Sequence, residues 1–148
     1  MRHLIAILML AALTLAGEVR AGAQTTRYDV QLIRGTNTEQ PPVPRTKSAE
    51  RKVAETFHGV FNCKAYWEMN RQQVTIPAGQ MARVQLGNGR EAVIDLRSPD
   101  ARKVAAFQSG RLVDRTVIPR GEGTTIIGGK REDKGVWFIV VRRDKPAN

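Results

Sequence analysis

Apolar and polar positions fall into two regimes along this chain. From residue 63 onward they alternate in short runs, broken by Gly, Pro, Asn and Asp, which is the period of strands. The exception is 136–141 (VWFIVV), apolar at every position between Gly135 and Arg142-Arg143. A strand here is buried on both faces, so it belongs inside a sheet with the rest of the domain around it. Earlier runs read as its neighbours. In 25–34, Tyr28, Val30 and Leu32 share one side, and Asp29 and Gln31 point the other way. In 63–70, Ala65, Trp67 and Met69 oppose Tyr66, Glu68 and Asn70, and 73–76 is a short further piece. Runs 81–86 and 91–96 flank Asn88-Gly89, both tolerant of the positive φ that a two-residue hairpin turn requires. Ser109-Gly110 separates 102–108 from 111–118 in the same way, and 124–127 is β-branched throughout.

One stretch, 48–60, has the other period. Val53, Phe57, Val60 and Phe61 recur at three- and four-residue spacing, a stripe expected to lie on a sheet. Ser48 suits the cap, Glu50 suits the first turn, and Gly59 weakens the last. Between first strand and helix, Pro41, Pro42 and Pro44 favour an extended tether. About eight short strands with one N-terminal α-helix predict a mainly β domain, an antiparallel β-sandwich or small open barrel.

Composition adds a leader and a charge. Residues 1–23 open on a basic Met1-Arg2-His3, continue with an apolar run over 4–15, and end Ala21-Gly22-Ala23. That layout predicts a cleaved signal peptide, since a membrane span needs about 20 apolar residues. Its compact form points to a bacterial chain exported to the periplasm or outside. Residues 24–47 then hold the first strand and the Pro-rich tether, and 48–148 form a single β-rich domain including the helix. No later segment is long and apolar enough to span a membrane. The formal net charge is +10, and losing Arg2, Arg20 and Glu18 with the leader leaves it strongly basic. Cys63 is the only cysteine, so no internal disulfide forms and the core must hold the fold.

Candidate chemistry is sparse. Cys63 and His58 are the single thiol and imidazole after the leader, five residues apart across a helix-to-strand turn, and could form a thiol dyad. Cys63 shares parity with Phe61, Ala65 and Trp67, however, which makes it a core residue. Carboxylates are spread singly and no metal-ligand spacing occurs, so neither metal nor cofactor is expected. Gly128-Gly129-Lys130 lacks the spacing and the Ser or Thr of a phosphate loop, and reads as a tight turn or bulge. The densest basic group is Lys130-Arg131 with Arg142-Arg143-Lys145, candidates for binding an anionic surface. Tyr66, opposite in parity to Trp67, is the aromatic candidate for an exposed binding position. For an exported chain, nucleic acid is not the expected partner.

Two segments, 61–70 (FNCKAYWEMN) and 126–141 (IIGGKREDKGVWFIVV), resemble small exported bacterial β-rich proteins of unknown function. In those a strand with Phe, Tyr and Asn follows a helix, and a Gly-Gly hairpin with Trp-Phe ends the chain. The resemblance rests on structural glycines and aromatics, implies no activity and assigns no binding residue. The favoured expectation is a non-catalytic envelope protein that binds or braces another envelope component. A basic-surface binder of anionic envelope polymers or lipid headgroups is the alternative, and a Cys63/His58 thiol enzyme the third.

Overall fold

A computed structural model describes residues 24–132 and 135–144. The expected signal peptide over 1–23, residues 133–134 of the expected charged connection and residues 145–148 lie outside the described residues. Two antiparallel sheets face each other as a sandwich. The first has five strands in the order β2 (Lys47–Ser48), β3 (Ala65–Pro77), β1 (Thr25–Thr36), β9 (Gly135–Arg143) and β8 (Thr124–Glu132). The second has four in sequential order, β4 (Met81–Gln85), β5 (Arg90–Asp95), β6 (Ala101–Gln108) and β7 (Arg111–Pro119). Among the described residues, no helix is long and apolar enough to cross a membrane.

The doubly apolar run behaves as its pattern requires. β9 lies between β1 and β8, and all six residues from Val136 to Val141 are buried. Trp137, Ile139 and Val141 enter the core between the sheets with Tyr28, Val30 and Leu32. Val136, Phe138 and Val140 enter a second core under the helix α1 (Arg51–His58), with Val53 and Phe57. Phe57 stacks on Phe138 with ring centroids 4.3 Å apart. Close packing extends to the backbone at Gly135, with a φ of 132°, where any Cβ would meet the Gly35 carbonyl oxygen.

Both hairpin turns form where local sequence demands them. Asn88 and Gly89 take φ of 52° and 73°, and Ser109 and Gly110 take 49° and 78°. The Gly128-Gly129 pair makes a bulge in β8 rather than ending it, so β8 runs five residues past the expected stop at Ile127. Likewise the two expected pieces 63–70 and 73–76 are one strand, β3, with a bulge at Met69 that resets its register against β1.

The helix departs from expectation at its place and both its ends. It is not N-terminal, since β1 and β2 precede it. Residues 47–49 are held on β3 instead: Lys47 and Ser48 pair with Glu68 and Trp67, and Ala49 N–H donates to the Tyr66 carbonyl at 2.9 Å. Ser48 is therefore a strand residue. Glu50 takes the cap position without making a cap bond, and no acid occupies the first turn. At the far end the helix stops at His58, and Val60, expected in the stripe, is exposed.

Candidate functional site

Cys63 and His58 are not brought into a bonded pair. Cys63 is buried beside Gly35 and Tyr66, with its Sγ 2.7 Å from where a Gly35 Cβ would lie. His58 is exposed on the last turn of α1 and meets Tyr66 edge-on, ring centroids 5.5 Å apart. Among the described residues no three of His, Cys, Asp and Glu gather as a metal site.

Tyr66 is a correction. Its hydroxyl donates to the Phe61 carbonyl at 2.9 Å and its ring stacks toward Phe57, so it is buried rather than exposed. Burial raises its hydroxyl pKa above the ordinary value, with the neighbouring Cys63 adding to the rise. Parity failed as a guide because β3 is covered on both faces there. Trp67 is buried too, its Nε1 donating to Thr36 Oγ1 at 2.9 Å.

The basic candidates divide. Arg131 pairs in register with Val136, and Arg142 with Thr124, which places the two groups at opposite ends of the β8–β9 hairpin, about 20 Å apart along the strand. Lys130 lies in β8 beside Arg131 in the chain. Arg131 is exposed, whereas Arg142 and Arg143 are half-buried.

Arg142 is engaged in a network the sequence did not reveal. Asp29, buried in β1, receives Arg71 Nε at 3.0 Å, Arg71 Nη2 at 2.5 Å and Arg142 Nη2 at 3.1 Å. Glu50 completes the ring, accepting from Arg71 Nη1 at 2.9 Å and from Arg142 Nη1 at 3.5 Å. The hydrogen bond from Arg71 holds the Glu50 carboxyl below its ordinary pKa, against the opposing effect of burial. Bonding to Asp29 and Glu50 raises Arg71 in turn. Three strands and the start of α1 are thus tied by charge-assisted bonds, an arrangement that braces the sheet.

The second sheet differs on its outer face. Here Glu91, Phe107 and Leu112 stand in one cross-strand row, and Asp95, Lys103 and Val117 in another. Met81, Leu112 and Val117 are exposed, the last at 60%. Phe107 is half-buried under the Arg83 guanidinium, 5.4 Å from the ring centroid, and Arg83 pairs with Glu91. At the rim, Arg97 grips Asp95 through two guanidinium bonds at 3.0 and 2.7 Å plus its own backbone N–H. Those bonds hold the Asp95 carboxyl down at about 2. The adjoining edge, β7, discourages strand addition through a bulge at Val113, charges at Arg111, Asp114 and Arg115, and Pro119.

No protein-family model, curated protein or solved structure matches the chain.

Proposed function

We propose that this chain is an exported, non-catalytic binding module that docks a protein of the cell envelope on the outer face of β4–β7. One observation carries the reading: α1 roofs the five-stranded sheet over parts of β1, β3 and β9, whereas among the described residues no element roofs the outer face of the four-stranded sheet, which carries apolar side chains at its surface. Phe107, Leu112 and Val117 are flanked by charges of both signs, Arg83, Glu91, Asp95, Lys103 and Arg97. An apolar centre within a polar rim is the anatomy of a protein interface. A mixed-sign rim suits a protein surface better than a uniformly anionic polymer.

A photo-crosslinking residue placed at Leu112 or Val117, in the cells that make the protein, tests this. Both positions are expected to capture the same discrete protein, and a probe at Lys52 on the exposed side of α1 none. Leu112→Asp with Val117→Asp should abolish capture from Phe107 while the circular dichroism stays unchanged. Capture that is equal from Lys52, or that survives the double substitution, overturns the reading.

A further inference from the structure

The edges of the two sheets are not equally guarded. β7 has its bulge, its charges and Pro119. In the five-stranded sheet, β8 has a bulge and a clamp, since Gly128 N–H donates to Asp114 Oδ2 at 3.0 Å, and β3 carries β2 at Trp67 and Glu68. β4 has no such cover among the described residues. Its sequence, Met-Ala-Arg-Val-Gln, holds neither Pro nor Gly and pairs with β5 without a register shift. Its one charge, Arg83, is met by Glu91.

Backbone bonds at both ends of β4 fix which of its groups face outward. Leu86 N–H donates to the Arg90 carbonyl at 2.8 Å, and Leu96 N–H to the Gln80 carbonyl at 2.9 Å. Bonded pairs alternate along an antiparallel ladder. Ala82 and Val84 therefore turn their N–H and C=O groups toward β5, and Met81, Arg83 and Gln85 turn theirs away. Among the described residues those outward groups have no backbone partner. A row of alternating donors and acceptors is complemented by an extended chain. The side chains of the same three residues lie on the open outer face, Met81 44% exposed, because Ala82 and Val84 pack inward. A second copy of this chain fits poorly: two β4 strands paired antiparallel along their length set the two Arg83 side chains opposite each other, and like charges so placed destabilise.

We propose that an extended segment of the docked envelope protein adds to β4 as a fifth strand of this sheet, with an acidic side chain opposite Arg83 and an apolar one opposite Met81. The inference rests on the docking reading above and states how the partner engages. The two partner positions are two residues apart, so they share a face of the added strand. Arg83, bonded to Glu91 and lying over Phe107, joins the edge to the apolar centre of the face. Its guanidinium has five N–H donors, enough for a second carboxylate.

A photo-crosslinking residue at Gln85, in the cells that make the protein, is expected to capture the same protein as Leu112 and Val117. The crosslinked peptide, sequenced by mass spectrometry, should hold Asp or Glu in a stretch without Pro. Arg83→Pro removes an N–H that points away from β5, so the β4–β5 ladder survives and the circular dichroism should not change. Capture from Gln85 and Leu112 should fall about tenfold or more, against less than about fivefold for Arg83→Ala, which keeps the N–H. Should Arg83→Pro fail to fold, Met81→Pro against Met81→Ala repeats the comparison at the first residue of the strand. Equal capture by the Pro and Ala variants, or a second copy of this chain in the crosslink, overturns the strand addition and leaves docking on the face to be judged from Leu112 and Val117. Capture from Gln85 alone overturns docking on the face, and no capture from any of the three overturns both.

Discussion

The two sheets answer the same problem differently. In the five-stranded sheet, β9 spends all of its central residues on burial, one parity against the other sheet and one against α1. In the four-stranded sheet, β5 and β6 alternate: Ala92, Ile94, Val104 and Ala106 go inward, and Glu91, Asp95, Lys103 and Phe107 go outward. Uninterrupted apolarity marks a strand with two roofs, and alternation marks one with a single roof. The difference teaches where change is costly and where the molecule is free to serve a partner.

Charge substitutions should separate the sheets most strongly. Ile139→Asp and Val136→Asp, on opposite faces of β9, are both expected to abolish folding, because an unpaired buried charge costs several kcal/mol out of a total near 5–15 kcal/mol. Val117→Asp on the open face should change stability by no more than about 0.5 kcal/mol. Urea titration followed by circular dichroism decides, and a folded Val136→Asp would mean that α1 does not roof the sheet.

Truncations come next. Phe138→Ala removes the ring stacked on Phe57 and should cost about 3–5 kcal/mol. Phe107→Ala, half-buried under Arg83, should cost about 1 kcal/mol. Equal losses in denaturant midpoint would mean that the two outer faces are equally covered.

Ion pairs sharpen it further. Asp29→Ala strands Arg71 and Arg142 beside a buried position and should cost about 3 kcal/mol. Removing the exposed Arg83–Glu91 pair should cost less than about 1 kcal/mol. A double-mutant cycle on each pair measures the coupling directly.

The smallest effect is in acid. Asp95 titrates at about 2 when folded, below its ordinary 3.8, so its stabilisation is complete above the ordinary value and disappears as pH falls through 2. Glu50, also held low, contributes in the same direction. The urea midpoint should therefore fall more steeply between pH 4 and 2 in the native chain than in Arg97→Ala, where Asp95 has lost its partner. Identical slopes would show that the Arg97 bonds carry no stability.

What was legible in the sequence was local. The turns at Asn88-Gly89 and Ser109-Gly110 are decided by residues that must accept positive φ, and β9 by six consecutive side chains. Asp29 and Gln31 point away from Tyr28, Val30 and Leu32 as the alternation requires, yet despite their polarity both are buried. Their burial depends on distant partners: Arg71 lies 42 residues from Asp29, and Arg142 lies 113. Arg102 escaped notice for the same reason, since Glu122 and Thr125 make its burial tolerable and no local pattern announces them. Among the charged and aromatic candidates, Tyr66 failed because alternation assumes one wet face, and β3 at that point has none. The outer-face rows on β5 to β7 were visible as alternation, but which sheet lacked a roof was settled only by where α1 packs.

The strand order also sets a timetable. β1 sits at the centre of its sheet, and its partner β9 is remote from it in the chain, with Arg34 opposite Trp137. Until β9 arrives, β1 has one unpaired edge and the helix has half a floor. Such long-range closure slows folding, because the loop entropy must be spent before the sheet repays it. The pairing that makes the finished sandwich rigid is therefore also the one that sets the pace of its folding.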